Sequence, residues 1–308
     1  MSERNEWKKA NLTGILFAVM VGFSFLSVKI CTRYGDTLQI MTIRYDFAML
    51  AVLVFLALGL GRVEMRHKPK RDLILTALFY IGFMVLQCLG LFFSSSAESA
   101  ILFAIIPILV KIIAEIFLKE KSTKLQNLFV LLSVCSLVAM IAFGAGGLSF
   151  NLAGIALLLL SSLSMAVNNV YMRFVRDVYT PFEITFMICL LGCVLFNAAS
   201  LVRGLAAGHP LQLYIAPLSE PAFVIATAYL GIFCILFSAQ MMAYMQAHMP
   251  AVNASLYGNV STAISVIAGV VVLGEVLHWY HIVFGAAIIL GAVGMNLSGR
   301  KRVEDETA

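Results

Sequence analysis

Ten apolar runs, near 12–32, 38–60, 73–94, 98–118, 125–143, 152–172, 183–202, 222–245, 251–273 and 279–297, take up most of this chain. A bilayer core about 30 Å thick needs roughly 20 helical residues to cross it, so each run has the length of a membrane span. Soluble domains are about half apolar and about a quarter charged. Here hydrophobic residues make up 61%, charged residues 12%, and mean hydropathy is +0.97. The solvent is therefore lipid, and the expected class is an all-α membrane protein of ten transmembrane helices. In a soluble protein the net charge of +5 would suggest a nucleic-acid partner, but here loop placement explains it and no nucleic acid is expected. The first run follows Lys8 and Lys9, as in a signal peptide. It is long, Ser24, Ser27 and Lys29 interrupt its end, and no small-residue cleavage site follows, so it is expected to remain as a span.

Most of the Lys and Arg residues fall on one side of these runs. They lie at Arg4, Lys8 and Lys9, at Arg62, Arg66, Lys68, Lys70 and Arg71, at Lys119, Lys121 and Lys124, at Arg173 and Arg176, and at Arg300, Lys301 and Arg302. The opposite loops hold little beyond Arg33 and Arg203. Basic loops stay cytoplasmic, which predicts a plasma-membrane protein with both termini inside and an even number of spans. The chain also repeats itself. Asn11-Leu-Thr-Gly14 is answered by Asn151-Leu-Ala-Gly154, Tyr80-Ile-Gly82 by Tyr229-Leu-Gly231, and Leu118-Lys-Glu120 by Leu273-Gly-Glu275. The order predicts two units of five spans, 1–148 and 149–308. An odd number of spans per unit forces the second to enter from the other side, giving inverted repeats around a central cavity.

Within span four, Glu98 to Glu120, the apolar run contains Pro107, Lys111 and Glu115. On a straight helix Lys111 shares a face with Ala97, Ala100, Ala104, Pro107 and Glu115. A lysine inside lipid costs about 2.5–3.5 kcal/mol on insertion scales, so it needs a reason to be there. It is a candidate for holding a carboxylate or phosphate of a cargo. The competing reading is a structural pair with Glu115, one turn on.

At this point the chain resembles the EamA-type members of the drug/metabolite transporter superfamily. The likeness rests on five spans twice and on Pro107 followed 13 residues later by Glu120. It also rests on Gly22-Phe-Ser24 with Lys29 in span one, and on Arg44 early in span two. It implies a carrier of small metabolites, amino acids or related organic solutes, moved by alternating access and exported. It implies a cavity lined largely by spans one, three, four, six, eight and nine. The second half departs from the pattern, with Thr262 where the family often has proline and Asn169 opposite Lys29. Span one lacks the glutamate with which small multidrug-resistance relatives exchange cations for protons, which argues against a polyaromatic cation as cargo.

Uncharged cavity candidates are Gln87, Asn168, Asn169, Gln240, Asn253, Tyr257 and Asn259. Their amides and hydroxyl are costly against lipid and should face the interior, for cargo or for interhelical bonds. Of these, Asn169, Tyr257, Asn259 and Gln87 join Lys111 as the substrate-binding set. Lys29 and Arg44, near the outer span ends, either snorkel to headgroups or form an anion-attracting vestibule with Glu98. Glu120 and Glu275 match across the repeat at span ends and read as architectural or gating groups. Glu98, Glu115 and His248 are candidate proton carriers. Two small-residue stripes, Gly14, Ala18 and Gly22 on span one and Ser261, Ser265 and Gly269 on span nine, mark close packing.

His278-Trp279-Tyr280-His281 reads as an interfacial anchor rather than a metal site, and the six cysteines as small buried hydrophobes. No nucleotide-binding loop or nucleophile–base pair is visible, so no cofactor, no metal and no enzyme is expected. The partners expected are a small-molecule substrate and the bilayer, and the architecture is compatible with a homodimer. The alternatives are a passive solute channel and a membrane-embedded lipid-modifying enzyme.

Overall fold

The computed structural model describes residues 2–66, 68–94, 96–103, 105–117, 123–144, 152–209, 214–274, 279, 280 and 282–287, with residues 290, 291, 294 and 298. Among these residues every regular element is helical and no strand occurs. Helices α1 (Ser2–Gly22) and α2 (Ser24–Cys31) make up the first span, followed by α3 (Thr37–Ala57) and α4 (Lys70–Phe93). Then come α5 (Ser96–Phe103), α6 (Ile106–Phe117), α7 (Lys124–Gly144), α8 (Leu152–Val175) and α9 (Pro181–Ala206). The chain continues through α10 (Pro221–Gly231), a π-helical stretch (Ile232–Phe237), α11 (Ser238–His248) and α12 (Ala251–Leu273). Seven continuous helical stretches among the described residues are long and apolar enough to cross a membrane. Only part of the tenth predicted run is described, and Glu120, Glu275, His278 and His281 lie outside the described residues.

Local chemistry sets several of these ends. Asp36 and Gln39 form a reciprocal capping box that starts α3, with both bonds at 2.9 Å. Thr180 and Glu183 do the same for α9, and Pro181 supplies its preset φ at the first helical position. Gly274 ends α12 at φ 68°, a left-handed conformation that glycine adopts without steric cost.

Span four differs from the straight helix expected. Helix α5 stops at Phe103 and α6 restarts at Ile106. Pro107 has no N–H for the carbonyl four residues back, and its ring crowds that position. The turn is held instead by the Ile105 N–H on Leu102 O at 3.4 Å and the Ile108 N–H on Ile105 O at 3.0 Å.

The helices pack through small residues and short polar bonds. Between α4 and α8, Ser161 donates to Phe83 O and Ser164 to Phe79 O, both at 2.8 Å, and Asn168 donates to Thr76 O at 2.7 Å. Helix α1 lies on α12, where the two predicted stripes meet: a Cβ on Gly22 would touch Ile264 and the Ser261 carbonyl. Helix α3 lies against α9, with Gly192 under the ring of Tyr45. Helix α10 also packs on α3, where a Cβ on Gly231 would stand 2.2 Å from the Arg44 carbonyl oxygen. Large apolar side chains such as Leu50, Leu53, Ile116, Val202, Ile225 and Val271 remain exposed on the outside, as a lipid-facing belt requires.

Polar contacts tie both ends of the bundle. At the end holding the basic loops, the buried Glu183 carboxylate accepts from Lys68 Nζ at 2.8 Å, from Glu64 N at 3.0 Å and from Thr180 N at 2.8 Å. Lys68 also stands 5.1 Å from the Tyr179 ring centre, and burial raises the pKa of that phenol. There Glu6 receives bonds from Lys9 and Tyr244, each at 3.1 Å, and His248 approaches it at 3.6 Å. At the other end Asp36 pairs with Arg203, and further along α3 Asp46 accepts from Asn197 and from Tyr214.

Candidate functional site

The helices line a partly open cavity between them, the kind of position in which bundles hold small molecules. Its walls come from α1 and α2, α4, α5 and α6, α8, the π-helical stretch with α11, and α12. Those are the six spans the resemblance implied, and α3 adds one residue, Arg44. The wall is mostly apolar. Phe25, Phe83 and Phe103 form a chain of rings with centres 5.3 and 5.6 Å apart, extended by Tyr80 at 6.0 Å from Phe83. Met84, Met165 and Met242 fill between them.

Arg44 is the charged residue of this lining, and no Asp or Glu accompanies it there among the described residues. It is 1% exposed, and its Nε and Nη1 have no hydrogen-bond partner among the described residues. Neither sequence reading of Arg44, snorkelling or a vestibule at the outer surface, describes this position. The reason is depth. Arg44 follows the capping residue Asp36 by eight positions, which at about 1.5 Å per residue carries it some 12 Å into the bundle. Its backbone carbonyl faces Gly231, so the absence of a side chain there lets α10 close against α3 beside the guanidinium.

Two predicted residues join Arg44. Gln87 of α4 and Asn169 of α8 both line the cavity and are nearly fully buried. Neither amide atom of Asn169 has a partner among the described residues. Its neighbour Asn168 points elsewhere and gives its amide to the Thr76 carbonyl. Successive helical residues differ by about 100°, so one turns toward the cavity and the other into the α4–α8 contact.

Other predicted residues fall outside this group. Lys111 is absent from the lining, and its ammonium lies 3.7 Å from Glu115, whose side chain is 42% exposed. Tyr257 lies behind the wall and donates to Asn11 Oδ1 at 2.6 Å. Lys29 neither snorkels nor lines the cavity. It donates to the carbonyls of Leu91 at 2.9 Å and Ser94 at 2.8 Å, covering the carboxyl end of α4, where the helix dipole favours a cation. Glu98 lies in α5 and Asn259 in α12, but their side chains are outside the described residues. His248 sits at the Glu6 cluster, away from the cavity. The described residues hold no cluster of His, Cys, Asp and Glu able to bind a metal.

Sequence reasoning did not assign Tyr80 or Ser238 to the site. Both donate to the Cys234 carbonyl, at 3.2 and 2.7 Å, inside the π-helical stretch. A π turn shifts the backbone ladder by one residue, which re-aims carbonyls and side chains locally, and such turns recur at functional sites. Tyr80 was visible only as a repeat landmark. Nothing in Ile232–Phe237, an unbroken apolar run, marks the turn in advance.

A model of the EamA-like transporter family matches residues 8–142 and 152–297. An uncharacterized transporter of Bacillus subtilis (strain 168), YcxC, is 34% identical over 303 residues, covering 98% of this chain and 97% of the relative. An uncharacterized transporter of Archaeoglobus fulgidus is 24% identical over 286 residues, 91% of this chain and 95% of its own. A crystal structure sharing 16% identity superposes with a TM-score of 0.72 over 96% of this chain and 98% of the other, a likeness of fold.

Proposed function

Because the chain belongs to the EamA-like transporter family and is a multi-pass membrane transporter, we propose that it is a secondary carrier moving small organic solutes by alternating access. One observation carries this reading. The cavity is lined from both halves of the chain, and its walls include Arg44 and Asn169, whose buried polar atoms have no partner among the described residues. Ionisable groups at such depth are kept where they serve a water-filled path or a cargo. Arg44, Gln87 and Asn169 are the cargo contacts in this reading, the aromatic chain holds the apolar body, and Lys111 with Glu115 is a strut.

The ten spans are two five-span repeats, 1–148 and 149–308, inserted in opposite directions. The two separate family matches support this division. So does reciprocal packing: α4 lies on α8 and α9, while the span containing α10 and α11 lies on α1, α2 and α3. The basic loops support cytoplasmic termini in the plasma membrane. In this reading the cargo is a small organic solute of the amino-acid or organic-acid kind, carried outward. Transport of this kind includes no enzymatic step, and a homodimer is compatible with the exposed apolar belt.

The test is counterflow of labelled amino acids and organic acids in proteoliposomes, with and without a pH gradient. Saturable counterflow is expected. A flux that never saturates would make the protein a passive channel, and product formation without translocation would make it an enzyme.

A further inference from the structure

From the charge and chemistry of the cavity, we infer that the cargo is an organic monocarboxylate, bound as its anion by the Arg44 guanidinium with its apolar body against the phenylalanine and methionine wall. This rests on the carrier reading above and narrows its cargo. An arginine keeps its charge in proteins and cannot escape burial by losing a proton. A buried charge without a partner costs several kcal/mol, so the site favours a compensating anion. Arg44 Nε and Nη1 have no partner among the described residues, and a forked edge of the guanidinium, Nε–Nη2 or Nη1–Nη2, matches the spacing of the two oxygens of a carboxylate.

The rest of the lining decides against other charge types. With no Asp or Glu among the described lining residues, an ammonium group would meet the Arg44 charge with no carboxylate to offset it. A zwitterionic amino acid would gain at one end and lose at the other. A second carboxylate would have only neutral groups, such as Gln87, Asn169, Ser24 and Ser238, to receive it. One negative charge on an apolar body matches the one positive charge among the described lining residues. The amides of Gln87 and Asn169 suit a neutral polar substituent near the carboxylate, such as a keto or hydroxyl oxygen.

The same chemistry supplies the driving force. Over a complete alternating cycle Arg44 returns to its starting place, so the net charge moved is that of the cargo. A membrane potential negative inside pushes an anion outward, and export then needs no proton-carrying carboxylate in the cavity. This agrees with the lining and with the position of Glu115 and His248 outside it.

The first experiment uses the wild-type protein in detergent and an isosteric series of benzoate, benzamide and benzylamine, with phenylpyruvate and 3-methylbutanoate as further carboxylates. Benzoate or another of the carboxylates is expected to raise the melting temperature with a saturable dose dependence, while benzamide and benzylamine leave it unchanged. In proteoliposomes, a potassium diffusion potential positive inside should accelerate uptake of the labelled carboxylate. Arg44→Gln should raise its half-saturation at least tenfold, and Arg44→Lys should restore part of the loss. If Arg44→Gln does not fold, the wild-type series and the potential dependence still decide the matter. Equal stabilisation by benzamide or benzylamine, no stabilisation by any of the three carboxylates, or uptake indifferent to the potential would each overturn the inference. Saturable L-phenylalanine counterflow unaffected by Arg44→Gln would overturn it too while leaving the carrier reading intact. A flux of every probe that never saturates would remove the carrier reading itself.

Discussion

Gly231→Ala probes the contact that sets Arg44 beside the cavity. A Cβ at this position would stand 2.2 Å from the Arg44 carbonyl oxygen, 2.8 Å from Phe47 Cβ and 3.0 Å from Ala48 N. Ordinary contact begins at 3.4 Å, so α10 and α3 must separate by roughly 1 Å. Two of the three opposing atoms are backbone, and no rotamer change relieves them. Overpacking costs about 1–3 kcal/mol, and a clash against backbone belongs in the upper part of that range. Alanine recovers up to about 1 kcal/mol over glycine within a helix, leaving a net loss of about 1–2 kcal/mol. Thermal unfolding of the purified protein should then fall by a few degrees. Because the displaced strip of α3 carries Arg44, the half-saturation for cargo should rise in the same variant. Gly285→Ala, where the added methyl meets nothing within 4 Å, is the matched control and should be as stable as wild type or slightly more so. A Gly231→Ala protein with wild-type melting temperature and half-saturation would refute the proposed seating of Arg44.

Further substitutions separate cargo contacts from struts. Lys111→Met should leave cargo half-saturation unchanged and cost only a few tenths of a kcal/mol in thermal unfolding, because its pair with the exposed Glu115 is long at 3.7 Å. A loss of cargo affinity in that variant would return Lys111 to the site. Lys29→Met removes two charge-assisted bonds from the end of α4 and should lower stability by about 1–3 kcal/mol in thermal unfolding, with Lys29→Arg losing less. Asn168→Leu and Asn169→Leu should diverge. The first leaves the Thr76 carbonyl without its side-chain donor and lowers the melting temperature, while the second removes unpaired amide atoms and weakens cargo binding with little loss of stability.

The all-helical membrane class was legible because lipid offers the backbone no partners, so a crossing is written as a long apolar helix. Pro107 was legible as a residue but not as a break, since a proline in a membrane helix can kink, break or be absorbed by neighbours. That Ala100 shares a face with Pro107 and Lys111 depended on a straight helix, whereas Pro107 and Lys111 stay one turn apart within α6. Asn168 and Asn169 were both legible as interior, but which of them meets the cavity is a matter of helix rotation. The bonds of Lys29 depend on carbonyls 62 and 65 residues away, and no local pattern encodes them. Arg44 was misjudged in depth for a related reason. Hydropathy locates where an apolar run begins, whereas the depth of a residue depends on which neighbours close around it, and here the closing neighbour is Gly231.

The two interruptions of the helical ladder have a feature in common that neither shows alone. Phe103 and Ile106 border the break before Pro107, and Cys234 and Ser238 border or lie in the π-helical stretch; all four line the cavity. Where the ladder is broken, a helix bends at less cost than in regular segments. The bundle ends, by contrast, are tied by the Glu183–Lys68 and Asp36–Arg203 pairs, and α4 is fastened to α8 by three side-chain bonds. A rocking motion of the proposed kind would therefore be absorbed beside the cargo, at the two weakened helices, while α4 and α8 move as one body. In such an arrangement cargo contact with Phe103 or the Cys234 turn could bias the motion directly, without a relay from a distant site. The aromatic chain from Phe25 through Phe103 to Phe83 spans from α2 across α5 to α4, so it joins one of the weakened helices to the rigid pair through the wall that the cargo touches.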